Sequence, residues 1–252
     1  MTDVELIQFK LSHYNEKARW ALDYKSIPHR RTSLLPGPHT PKITKMTGRS
    51  QVPVLRLGDE IVFETVRIID ELERRYPEPA LYPADAGDRA RALEIQDWFD
   101  AEVGPMVRRG VFAAMIGDGR YVCGMFDSDR GLLTRTAYRA TFPFVRGLMK
   151  KSMGITDEAS VREAHAVTDK ALQFVADQAG PAGYLVGDRF SVADLAAAAL
   201  LAPSANPPNS PMSRPEPMPA GATAWVERWA DHPGVAWVRQ RYLDDRPPSA
   251  EI

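Results

Sequence analysis

Cysteine is nearly absent from this chain. Only Cys123 carries a thiol, so no intrachain disulfide can form and no metal site can draw on two thiolates. An excess of one charge is missing as well. The 32 basic residues meet 33 acidic ones, a net charge of −1, which excludes bulk basicity as a driver of nucleic-acid or membrane binding. Long apolar runs are lacking. The longest stretch without a polar residue, Leu195 to Pro203, falls far short of the ~20 residues that cross a bilayer. Asp3 and Glu5 stand where a secretory leader needs basic residues ahead of an apolar core, so the expectation is a cytoplasmic protein. The histidines (His13, His29, His39, His165 and His232) show no ligand spacing, and no metal is expected. Phosphate-loop, serine-hydrolase and zinc-protease motifs are also absent. What remains is the composition of an ordinary globular chain. Hydrophobic residues make up 44% and charged residues 26% of 252 positions, which rules out a disordered chain and leaves one large or two small domains.

Two textures divide the sequence. Val4 to Phe9 is a short strand-like run, and Ser12 to Tyr24 repeats Ala18, Ala21 and Leu22 at helical spacing. His29 to Leu35 reads as a second strand, followed by a turn-rich stretch at Pro36 to Pro41. Val52 to Leu57 and Glu60 to Phe63 flank Gly58-Asp59 as a hairpin. Glu64 to Tyr76 then forms an amphipathic helix, with Val66, Ile68, Ile69 and Leu72 inward. Beyond Pro77 and Pro83 the pattern is helical throughout: Arg89 to Met115 with a kink at Gly104-Pro105, Thr134 to Met153, Glu158 to Ala179, a fully apolar Ser191 to Leu201, and two short pieces near the end. The stretch 203–219 holds seven prolines and is expected to lack regular structure. The expected organisation is a first domain over 1–78, a linker over 79–88 and an all-helical domain over 89–252.

Four local features carry a resemblance. Ser12-His13-Tyr14-Asn15-Glu16-Lys17-Ala18-Arg19-Trp20-Ala21-Leu22 directly follows the first strand. Gln51-Val52-Pro53-Val54-Leu55 opens the third strand. Glu64-Thr65 opens the next helix, and Phe190-Ser191-Val192-Ala193-Asp194 heads the apolar helix. In this order and at these spacings the chain resembles the cytosolic glutathione transferase superfamily, as a serine-type member with a zeta/omega-like N-terminal motif. The resemblance implies an α+β thioredoxin-like domain followed by an all-α helical bundle.

Each feature has both an ordinary and a functional reading. Ser12 is a favoured N-cap residue, worth about 1 kcal/mol. The same geometry lets its hydroxyl donate to a sulfur, and the helix macrodipole favours the ionised thiol. The resemblance implies that Ser12 meets the thiol of bound glutathione. Tyr14 is the second candidate donor, because a phenol serves some classes of the superfamily. The resemblance further implies a cis Val52–Pro53 bond that turns the Val52 backbone toward the cysteinyl backbone of glutathione. Gln51 would reach the glycyl carboxylate, and Glu64 and Thr65 the γ-glutamyl end. Ser191 and Asp194 form an S-x-x-D capping box, a folding element. Lys17 and Arg19 read as a solvated or interface face. Met106, Arg109 and Phe112 are the candidate wall of an electrophile pocket, and Cys123 reads as a packing residue.

The expected function is that of a glutathione transferase-like enzyme of detoxification type. Glutathione serves as co-substrate, its thiol attacks a small apolar electrophile, and no metal, nucleic acid or membrane takes part. The alternatives are a glutathione-dependent isomerase or dehalogenase, or a non-catalytic binding or scaffold protein of the same fold. A homodimer is the expected assembly. The 117–131 and 203–219 stretches look like additions that either close over the electrophile pocket or block it.

Overall fold

A computed structural model describes residues 4–212 and 214–252. Four short strands form one mixed sheet: β1 (Val4–Gln8), β2 (Arg30–Ser33), β3 (Val54–Leu57) and β4 (Glu60–Phe63). The spatial order is β2-β1-β3-β4, with β1 and β2 parallel and the other two pairings antiparallel. Helices α1 (His13–Tyr24), α2 (Thr40–Thr47) and α3 (Thr65–Arg75) accompany the sheet. Leu6, Leu55 and Leu57 meet Ala18, Leu22, Ile68, Ile69 and Leu72 in its core.

Helix α2 lies where the sequence pattern suggests only a loop. It buries a single residue, Ile43, so no apolar stripe announces it. Local chemistry defines it instead: Pro41 stands in its first turn and Gly48 ends it at φ 74°.

The helical half begins with α4 (Ala86–Trp98), capped by the Asp85 carboxylate. A π turn over Phe99–Val103 follows, and α5 (Gly104–Met115) continues from it. The expected kink at Gly104-Pro105 is thus a π turn just ahead of that pair. Pro105 sits in the first turn of α5, where its missing N–H costs nothing. Next come α6 (Gly119–Asp127), α7 (Leu132–Met153), α8 (Glu158–Gln178), α9 (Val192–Ala205), α10 (Ala220–Glu227) and α11 (Pro233–Asp244). Helix α6 falls inside the 117–131 stretch, so that addition is structured. Helix α9 runs on through Pro203 to Ala205, three residues into the proline-rich stretch.

Helix α9 is the hub of the helical half. Every residue in it except Pro203 is buried. Its start carries the expected capping box: Ser191 Oγ accepts from the Ala193 N–H at 3.3 Å, and Asp194 Oδ2 accepts from the Ser191 N–H at 3.0 Å. Burial pushes the Asp194 carboxyl up to about 6. No helix among the described residues is long and apolar enough to cross a membrane.

Helix α1 departs from its expected character. Lys17 and Arg19 do not form a solvated face; both are buried. The domains pack across α1, and its polar residues are enclosed in pairs. Lys17 binds Asp100 on the π turn, and Arg19 binds Glu16 at 2.7 Å and Gln8 at 2.6 Å. Arg246 in the C-terminal tail joins Glu16 and Asp23, each at 2.8 Å, with its guanidinium over the Trp20 ring. Arg31 closes the set on Asp23 at 2.7 Å. Sequence periodicity cannot reveal such a network, because the partners come from five separate segments.

Candidate active site

The loop from β1 into α1 brings the first candidates into place. Ser12 is the N-cap of α1, half-buried, with extended backbone. Its side chain makes no capping hydrogen bond, so the hydroxyl is not committed to the helix end. His13 is fully buried, and its Nε2–H donates to the Gly104 carbonyl at 2.9 Å. Burial pushes the His13 pKa down to about 3, which keeps the ring neutral. The Tyr14 hydroxyl donates to the Asp100 carbonyl at 2.7 Å, and burial raises its pKa above the ordinary phenol value. Gly104 permits this approach: a Cβ there would stand 2.5 Å from Tyr14 Oη.

The residues that the resemblance assigns to glutathione come together in one groove of about 410 Å³. Gln51, Val52, Pro53, Glu64 and Thr65 line it with Tyr14. The Val52–Pro53 bond is cis. Among the described residues, neither the N–H nor the C=O of Val52 finds a backbone partner. Glu64 precedes α3 at φ 70°, a left-handed backbone that turns the chain sharply into the helix, and Glu64, Thr65 and Val66 at this opening line the groove. Its carboxylate is held by Arg49 and, at 3.2 Å, by Arg67. Thr65 is buried at the first helical position. Val66, expected in the core, is only half-buried and lines the groove.

The electrophile-side candidates separate. Phe112 lines a small inner cavity of about 30 Å³ between α5 and the proline-rich loop. Met106 lines neither space. Arg109 turns toward α7 and α8, where it binds Glu163 at 2.6 Å and the Met153 carbonyl at 3.1 Å. The face toward the first domain instead carries Asp100, Gly104, Arg108 and Phe112 at intervals of four. The π turn slips the helical register, so a face projected along a continuous helix falls one residue out. Arg108 was missed although it lies one turn before Phe112 in the same helix; the four-residue spacing back from Phe112 through Gly104 to Asp100 was the available signal. Asp100 lines the groove and keeps Oδ1 buried without a hydrogen-bond partner.

Ser12 lines neither space, but its neighbours do: Leu11 and His13 border the inner cavity, and Tyr14 borders the groove. Cys123 is buried, with its thiol pushed up to about 11, and takes part in neither. Both additions reach the inner cavity, Met125 from α6 and Met212 from the proline-rich loop.

Comparison with known proteins gives the family. Residues 6–80 match the model of the glutathione S-transferase N-terminal domain, and residues 136–233 match that of the C-terminal domain. The chain belongs to the cytosolic glutathione S-transferase superfamily. A maleylpyruvate isomerase from a Ralstonia species is 28% identical over 156 residues, covering 56% of this chain and 74% of that protein. Glutathione S-transferase 1 of Dianthus caryophyllus is 30% identical over 106 residues, which span 41% of this chain and less than half, 48%, of that relative. The crystal structure of a glutathione S-transferase from Rhodospirillum rubrum F11 superposes with a TM-score of 0.60 at 21% identity, covering 97% of this chain and 96% of that one. This last likeness is one of fold: a thioredoxin-like sheet unit followed by an all-helical unit.

Proposed function

We propose that this superfamily member binds glutathione in the groove and activates its thiol, beside Ser12, for attack on a small electrophile. The observation that carries the reading is the groove itself. It joins an unpaired Val52 backbone next to a cis proline with the N-terminus of α3. An extended peptide pairs with such a backbone as an added strand. Gln51 takes the glycyl carboxylate. The Thr65 hydroxyl and the first α3 N–H groups take the γ-glutamyl carboxylate. Glu64 takes the ammonium. Its pairs with Arg49 and Arg67 are exposed, and such pairs are worth about 0–1 kcal/mol, so an arriving ammonium can displace them.

Between the two candidate donors, the hydrogen bonding favours Ser12. The Tyr14 proton is already given to Asp100, and burial holds that phenol protonated. The Ser12 hydroxyl has no competing cap bond and stands at a helix N-terminus. A fall of two units from a thiol pKa of ~8.5 raises the thiolate fraction at pH 7 roughly 25-fold. The thiolate then forms a sulfur–carbon bond at the electrophile, and the leaving group departs with the electron pair of the broken bond. Proximity supplies the rest of the acceleration. The isomerase alternative uses the same thiolate, which adds to a conjugated acceptor and leaves again with glutathione recovered; the maleylpyruvate isomerase among the relatives is what favours keeping it.

Calorimetry with glutathione at pH 7 tests the reading. Wild type should bind at micromolar to millimolar affinity, and Glu64→Ala should lose at least ten-fold. No heat from wild type at several millimolar glutathione defeats the proposal and leaves a binding or scaffold role. Sedimentation of the same sample tests the homodimer that the family membership implies.

A further inference from the structure

The buried cations of α1, Lys17 and Arg19, each have a carboxylate, whereas the half-buried Arg108 has none among the described residues. It stands on α5 where the groove and the inner cavity meet, and it lines both. Its Nε is buried without a hydrogen-bond partner, and among the described residues no acid lies within ion-pair distance. The two acids of the groove are engaged elsewhere, Glu64 by Arg49 and Arg67, and Asp100 by Lys17. On the inner side stands a second arginine, Arg214 of the proline-rich loop. It donates to the Pro203 carbonyl and keeps Nη1 buried without a partner. Among the described residues no acid lines that inner cavity; its wall is mainly apolar, with Val111, Phe112, Met115, Met125 and Met212. An unpaired guanidinium in an apolar setting is costly unless something anionic arrives.

We propose that Arg108 is the anion subsite for the second substrate, and that this substrate is a small electrophile bearing a carboxylate. The proposal narrows the apolar electrophile expected above and rests on the glutathione reading. A planar guanidinium binds a carboxylate through two parallel hydrogen bonds, so it orients its ligand as well as holding it. A space of about 30 Å³ accepts waters or an acid head group and not a ring. The head therefore points inward at Arg108, with Arg214 behind it, and the reacting carbon stays on the groove side. Ser12 stands between the two spaces, with Leu11 and His13 on the cavity side and Tyr14 on the groove side. Arg108 is in this account a specificity residue, and it plays no part in proton transfer.

The test uses a chlorodinitrobenzoate and its neutral methyl ester, which share one reacting carbon. Each enzymatic rate is divided by its uncatalysed rate with glutathione. Wild type should favour the anion at least ten-fold by this ratio. Arg108→Gln should bring the ratio near one, and Arg108→Lys, which keeps the charge and loses the fork, should fall between them. Calorimetry with nitrobenzoate alone, without glutathione, should show binding to wild type that Arg108→Gln abolishes. An equal ratio in wild type and Arg108→Gln overturns the proposal. So does a loss of glutathione affinity in Arg108→Gln as large as the loss of rate with the anion, because the guanidinium would then serve a glutathione carboxylate. If nitrobenzoate binds through Arg108 while glutathione gives no heat, the anion subsite stands and the transferase reading fails. Should Arg108→Gln not fold, Arg214→Gln reads the same ratio, and an unchanged preference in it and in Arg108→Lys contradicts the proposal.

Discussion

Two buried regions handle charge in opposite ways. Beneath α1, Lys17, Arg19, Arg31 and Arg246 each meet an acid, and Glu16 and Asp23 are each shared between two arginines. Around the inner cavity, Arg108 and Arg214 meet none. Both regions lie at the seam between the sheet unit and the helices. In the first set every cation meets an acid, although Arg19 Nη2 and Asp100 Oδ1 keep no partner, and the set ties the C-terminal tail and the β1–α1 unit into one body. The second set is half-buried and has no acid among the described residues, which is the property expected of a site awaiting an anion.

The sharpest way to break this contrast is to remove an acid from the complete region. Glu16→Ala leaves Arg19 and Arg246 without one of their partners in a buried place, and it should lower the unfolding free energy by about 3–5 kcal/mol in a urea titration. Arg108→Met, which keeps an apolar stem, orphans nothing and should melt at or above the wild-type temperature. Equal losses in the two variants would erase the distinction between the regions.

A pH titration sharpens it further. His13 has a folded pKa of about 3 against the ordinary 6.5, so the unfolded chain binds the extra proton first as pH falls. Its contribution to stability is complete above pH 6.5 and is lost progressively as pH drops toward 3, by about 1.4 kcal/mol per unit. Asp194, raised to about 6, acts in the opposite sense between about pH 4 and 6. Wild type measured against His13→Gln isolates the histidine: the variant should gain on wild type by about that slope below pH 6.5. Parallel curves would mean that His13 is not held neutral. The smallest effect belongs to the capping box, where Ser191→Ala should cost about 1 kcal/mol in urea without changing glutathione affinity.

How much of this was legible depends on where the determining contacts lie. Local patterns carried β4 and the burial of α9, since the Gly58-Asp59 turn signal and an unbroken apolar run are properties of single segments. The groove residues Gln51, Val52, Pro53, Glu64 and Thr65 were legible only through the family resemblance, since their local chemistry by itself reads as capping, a strand-opening proline and a loop; the structure brings them to one groove. Lys17 and Arg19 were not, because a charged residue shows its partner only in three dimensions. Arg108 was hidden for a different reason. Neighbouring Arg109 offered the same side chain on the face turned toward α7 and α8, and only the one-turn spacing to Phe112 pointed to Arg108 instead.

The most direct test of the central claim is the pKa of the bound thiol. Ultraviolet thiolate absorbance is followed against pH in protein saturated with glutathione, for wild type and for Ser12→Ala. The account predicts that wild type lowers the thiol pKa by one unit or more from ~8.5, and that Ser12→Ala binds glutathione but returns the pKa toward that value. A bound thiol that titrates identically in both proteins would contradict it.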